Sequence, residues 1–128
     1  MAARTLLLVM ALVETPTGLM LLLSPALVVE FLLGVSLDAP AALAVTRMAG
    51  VALLSLGGAC WLARDDRPDR AGPGLVAAML LYNGVAAAVL AHAGAVSGLV
   101  GVLTWPAIAL HAALAVWCLV CLRSERRV

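Results

Sequence analysis

Four stretches of this chain each run for roughly 20 residues almost without charge, the length a helix needs to cross a bilayer. They are 5–23, 41–63, 73–93 and 99–122. Backbone N–H and C=O groups find no water in hydrocarbon, so each stretch must satisfy them internally and is expected to be a helix. Together the stretches fill most of the 128 residues and leave no room for a second domain. Hydrophobic residues make up 65% of the chain and charged residues 12%. Soluble domains hold about 45–50% and about 25%. A water-soluble enzyme domain and a disordered chain are both excluded by that balance. The expected fold is all-α: a polytopic membrane protein whose four transmembrane helices form one bundle over residues 1–128.

The connections agree with this count. Residues 64–72 carry Arg64, Asp65, Asp66, Arg67, Pro68, Asp69 and Arg70, a solvated turn between the second and third spans. Residues 93–98 are small and make a tight turn between the third and fourth. The link after the first span is different. Ser24-Pro25 should end that helix, since Pro cannot continue one. Residues 26–37 are then apolar except for Glu30 and Ser36. About 12 residues are too few to span, so a short interfacial or re-entrant helix is expected, closed by Asp38-Ala39-Pro40. Glu14 and Pro16 follow the first apolar run and no small-residue cleavage site is visible, so the first span is expected to be a retained helix.

All eight basic residues are Arg, and seven of them fall on one side of a four-span chain: Arg4, Arg64, Arg67, Arg70, Arg123, Arg126 and Arg127. Only Arg47 lies toward the other. The positive-inside rule then places both termini in the cytoplasm and the chain in a cytoplasmic (inner) membrane. A formal net charge of +1 gives no basic face for nucleic acid.

Polar side chains inside a bilayer are expensive and face the bundle interior. Counting the rise per residue from the flanking Arg and Pro residues puts Glu14, Tyr82 and Asn83 about 15 Å deep and His111 about 18 Å deep. Three helices thus bring four polar side chains to one level near mid-bilayer. Glu14, Tyr82, Asn83 and His111 are the candidate ligand-binding or proton-linked residues. A carboxyl there lacks water for its charge, so the neutral acid is expected for Glu14. The simpler alternative is interhelical hydrogen bonding, which suits Tyr82, Asn83 and Thr104 in particular. Arg47 lies about 25 Å up, where Glu30 on the short helix, or Glu14 below, is expected to pair with it. Pro16, among Thr15, Thr17 and Gly18, and the Trp105-Pro106 pair are expected to bend the first and fourth spans.

Other residues read as packing. Cys60, Cys118 and Cys121 lie toward the cytoplasmic ends of their spans and have no zinc-site spacing, so small buried thiols are expected and no metal. His92 and His111 differ in depth by about 10 Å, which does not suit two axial ligands of one haem. No cofactor is called for. The Ala- and Gly-rich third and fourth spans should pack closely, and Trp61 and Trp117 should anchor at the interface.

The stretch Arg47-Met48-Ala49-Gly50-Val51-Ala52-Leu53-Leu54-Ser55-Leu56-Gly57, with Cys60-Trp61-Leu62, resembles the second span of small bacterial four-helix membrane proteins, loosely DoxX-like and uncharacterised. Leu80-Leu81-Tyr82-Asn83 and the segment from Trp105-Pro106 to His111 are similar to the same group. The resemblance implies a four-helix fold and a link to quinone chemistry. It assigns no catalytic residue.

The function expected from these features is a polar mid-bilayer pocket that binds a small lipophilic ligand, quinone or lipid-like, or an accessory subunit of a membrane complex. The rivals are a proton-coupled small-molecule transporter using Glu14 and a purely structural membrane partner. An independent enzyme fits least, because no nucleophile–base pair is visible. Membrane lipids are expected partners; a homo-oligomer or a larger membrane complex stays open. The Arg distribution gives one direct test. On a Cys-free background, Arg67→Cys should be labelled by a membrane-impermeant thiol reagent only from the cytoplasmic side, and labelling from outside would invert the topology.

Overall fold

The computed structural model describes residues 2–65 and 72–125 and is all-helical there. Five helices follow one another: α1 (Ala2–Leu23), α2 (Pro25–Leu33), α3 (Pro40–Ala63), α4 (Gly72–Ala95) and α5 (Thr104–Glu125). All but α2 are long and apolar enough to cross a membrane. The exterior agrees with a lipid solvent. Leu12, Leu23, Met48, Leu62, Leu81 and Val102 are each more than two-thirds exposed, and apolar patches of that extent are not left facing water by soluble monomers. The chain is a multi-pass membrane protein of the expected all-α class.

Local chemistry sets the ends of the short helix. Pro25 occupies its first turn, where a missing N–H costs nothing. Gly34 closes it at φ 70, with its N–H donating to the Glu30 carbonyl at 2.8 Å. The left-handed cap is open to glycine without penalty. So α2 stops at Leu33, four residues before the expected limit of 37. Pro40 then opens α3 after an extended Ala39.

The start of α5 is the larger departure. A fourth span from 99 was expected, but the helix begins at Thr104. Residues 99–103 instead lie against the end of α2. Leu103 N–H donates to the Phe31 carbonyl at 2.9 Å, and the Thr104 hydroxyl donates to the Leu32 carbonyl. Two of the carbonyls that every helix end leaves without partners are thereby satisfied. The same hydroxyl oxygen accepts from Gly101 N–H at 2.8 Å. Trp105 and Pro106 consequently fall in the first turn of α5, where Pro is tolerated, rather than bending a span from within. Pro16 lies inside α1, which is continuous from Ala2 to Leu23.

The helices pack as two close pairs, α1 on α3 and α4 on α5. The α1–α3 contact brings backbone against backbone. A Cβ added at Gly18 would meet the Gly50 carbonyl oxygen at 2.7 Å, and one added at Gly50 would meet the Gly18 carbonyl oxygen at 2.7 Å. Gly57 lies under Thr15 in the same seam. The Ala- and Gly-rich α4 and α5 form the other close pair, as expected, although Gly84 itself has no neighbour within 4 Å of its Cβ position. Between the pairs, in the half that carries the termini, lies one apolar core of Leu6, Leu7, Met10, Ala11, Cys60, Val76, Met79, Leu114, Cys118 and Cys121. At that end Arg4 Nε donates to Asp65 Oδ1 at 2.7 Å and ties α1 to the residues just after α3. Of the Arg residues used for orientation, Arg67, Arg70, Arg126 and Arg127 lie outside the described residues.

The glycine seam is testable. Gly50→Leu should destabilise the protein in detergent by about 1–3 kcal/mol, the usual cost of overpacking. Gly84→Ala, with open space for its methyl, should melt within a degree or two of the parent. Equal melting of both variants would show that the α1–α3 approach is not close.

Candidate functional site

Each helix lays a stripe of buried residues along its inner face, and the polar candidates continue those stripes by one turn. On α1 the buried run Leu7, Met10, Ala11 is followed by Glu14. On α4, Val76 and Met79 are followed by Asn83, and on α5, Cys121, Cys118 and Leu114 lead to His111. Glu14 is 1% exposed and Asn83 fully buried, while His111 and Tyr82 are half-buried. The polar layer therefore sits directly on the apolar core.

Within the layer, contacts are specific. Asn83 Nδ2–H donates to the Met79 carbonyl at 2.9 Å, one turn back on its own helix. Its Oδ1 lies 2.8 Å from His111 Nδ1. A carbonyl can only accept, so the amide nitrogen belongs at Met79 and the amide oxygen at His111. His111 Nδ1 is therefore the protonated nitrogen and donates to Asn83. The Tyr82 ring meets the His111 ring edge-on, with centroids 5.7 Å apart and planes at 84°. The Tyr82 hydroxyl lies beside the Glu14 carboxyl. Glu14 Oε1 is buried and has no hydrogen-bond partner among the described residues. Leaving a buried polar atom unsatisfied costs about 1–3 kcal/mol.

Glu14, Tyr82 and His111 line a cavity of about 300 Å³. Apart from Thr17 of α1, its other walls are apolar: Val13 of α1, Val28 and Leu32 of α2, Leu90 of α4, and Leu103, Pro106, Ala107 and Leu110 at the start of α5. Thr17, Leu103, Pro106 and Leu110 are exposed, so the cavity opens sideways toward the lipid. Asn83 is not in the lining and acts behind His111. Thr104, fully buried, holds α2 in place as the roof. Sequence reasoning placed the polar level but missed the α2 contribution. Its signal was Gly34 and Gly101, whose added Cβ atoms would clash with the Val100 and Phe31 carbonyl oxygens.

The expected ion pair is not formed. Arg47 is exposed, and among the described residues it pairs with neither Glu30 nor Glu14. Glu30 is exposed as well. The reason is helical phase. The inner face of α3 runs through Leu43, Thr46, Gly50, Leu53, Gly57 and Cys60, all at least partly buried. Arg47 is one residue, about 100°, away from Thr46. It lies only seven residues into α3, about 10 Å from its start, where a long cationic side chain reaches the interface along an apolar surface.

His92 is exposed near the end of α4, away from His111. The three cysteines are buried thiols within the apolar core. Among the described residues no cluster of three or more His, Cys, Asp or Glu side chains could hold a metal ion. No protein-family model matches this chain, and no curated protein or solved structure shows significant similarity to it.

These placements give two opposite expectations. Arg47→Met should melt in detergent like the parent. Asn83→Leu should be less stable by about 1–3 kcal/mol, because the Met79 carbonyl and the His111 N–H both lose a buried partner. A marked loss of stability in Arg47→Met would restore the ion pair.

Proposed function

We propose that this protein binds a small lipophilic molecule, quinone or lipid-like, in the cavity beneath α2, with the polar head at Glu14, Tyr82 and His111. The observation that carries the reading is the buried, unpartnered Glu14 Oε1 on the wall of a mostly apolar space. Ligand sites are typically concave and mostly apolar, with a few convergent polar groups, and start at about 300 Å³. The opening past Thr17, Leu103, Pro106 and Leu110 lets a tail remain in the lipid while the head is enclosed. Service as an accessory subunit of a membrane complex fits the same site. The setting proposed is a bacterial cytoplasmic membrane with both termini inside, which puts the opening in the outer half of the bilayer.

A proton-coupled carrier would also use an unpaired carboxyl. The packed core from Leu6 to Cys121 closes the cavity toward the termini, and the opening past Thr17, Leu103, Pro106 and Leu110 faces lipid rather than water, an entry that suits a lipophile.

The test is to purify the protein in mild detergent, extract it, and identify bound lipophiles by mass spectrometry. A ligand should be retained by the parent, reduced in Glu14→Gln and lost in Ala107→Phe, which fills the cavity. Unchanged retention in Ala107→Phe would overturn the reading. Proton flux into proteoliposomes that Glu14→Gln abolishes would establish the carrier instead.

A further inference from the structure

His111 presents two ring nitrogens with different duties. Nδ1 carries a proton and donates to Asn83 Oδ1, a role imposed by the second bond from Asn83 Nδ2 to the Met79 carbonyl. In the neutral ring Nε2 then carries a lone pair and no hydrogen. No partner for Nε2 occurs among the described residues, and the ring lines the cavity. Nearby, Glu14 Oε1 is likewise buried and without a partner. Among the described residues, no arginine lines the cavity.

We infer that the cavity selects its ligand by a hydrogen-bond-donating head group, a hydroxyl or an amine, received by His111 Nε2. This rests on the proposed role of the cavity as a lipophile site. A ligand that offers only carbonyl oxygens would set an acceptor against the Nε2 lone pair and leave it unsatisfied. Of a quinone and its quinol, the site thus favours the quinol. A hydroxyl donates to Nε2 and accepts from a protonated Glu14. An ammonium donates to Nε2 and to an ionised Glu14. Both sources share the donor, and the neighbouring carboxyl distinguishes them.

Matched twelve-carbon probes test this: 1-dodecanol, dodecylamine and 2-dodecanone, bound to the full chain in lipid nanodiscs and read by native mass spectrometry. The alcohol and the amine should bind at least about tenfold more tightly than the ketone, the scale set by one unpaired buried acceptor. In His111→Phe that preference should fall to within about twofold. An advantage of amine over alcohol that disappears in Glu14→Gln identifies a cationic head; equal binding of the two identifies a neutral hydroxyl. Binding of all three probes without preference overturns the inference and leaves the pocket standing, whereas failure of all three to bind overturns both. A check that needs no added ligand is nitrogen NMR of labelled histidine in the His92→Gln protein, which keeps one imidazole. The inference requires Nε2 without a hydrogen, and a protonated Nε2 overturns it.

Discussion

The close approach of α1 to α3 at Gly18 and Gly50 sets the rotation of α1, and much else depends on that rotation. Lipid supplies no hydrophobic drive between helices, so association rests on packing, interhelical hydrogen bonds and lipid entropy, and small residues allow the closest packing. Gly18, Thr15 and Leu22 meet α3 across the seam. With that side fixed, Glu14, one residue or about 100° from Thr15, is turned away from α3 toward α4 and α5. There it meets Tyr82 and shares a cavity with His111. A bulkier residue at position 18 or 50 would shift α1 and change where the carboxyl points.

The interior divides into two halves of different character. Near the termini, Leu, Met, Val and Cys side chains interlock into a core with every member buried. Above it the stripes turn polar and the packing opens. Polar side chains at a helix interface must meet partners at hydrogen-bond distance, which fixes the geometry more tightly than apolar contact does. Asn83 meets this demand with two partners. Glu14 does not. The shortfall lies where the cavity is, so the unsatisfied atom and the space beside it are one feature.

The four spans and the polar level were legible in the sequence because both depend on length and composition, which a bilayer reads almost directly. Glu14, Tyr82 and His111 could be brought to one depth by counting residues, since the rise of a helix is constant. Azimuth was harder. Counting placed Arg47 at the right height for Glu30, but one residue of phase puts it outside the seam that Thr46 occupies. The α1–α3 seam was hidden for a similar reason. Gly18, Gly50 and Gly57 are fewer than the alanines of α4 and α5, and only the pairing of helices reveals which small residues face each other. The α2 roof depends on carbonyl groups, whose mark in the sequence is indirect: the glycines at 34 and 101 that make room for them.

That roof explains why a cavity can persist at all. A nine-residue helix is too short to be stable in isolation, and α2 touches the rest of the bundle lightly. What keeps it in register is the bond from Leu103 N–H to the Phe31 carbonyl and the Thr104 hydroxyl shared between Leu32 and Gly101. Gly101 must lack a side chain because its Cβ position falls 2.2 Å from the Phe31 carbonyl oxygen. Backbone groups thus fasten α2 at its far end, and its side chains need not fill the space below. Had α2 been held instead by large apolar residues reaching down to Glu14 and His111, the same fold would have closed the cavity with its own core.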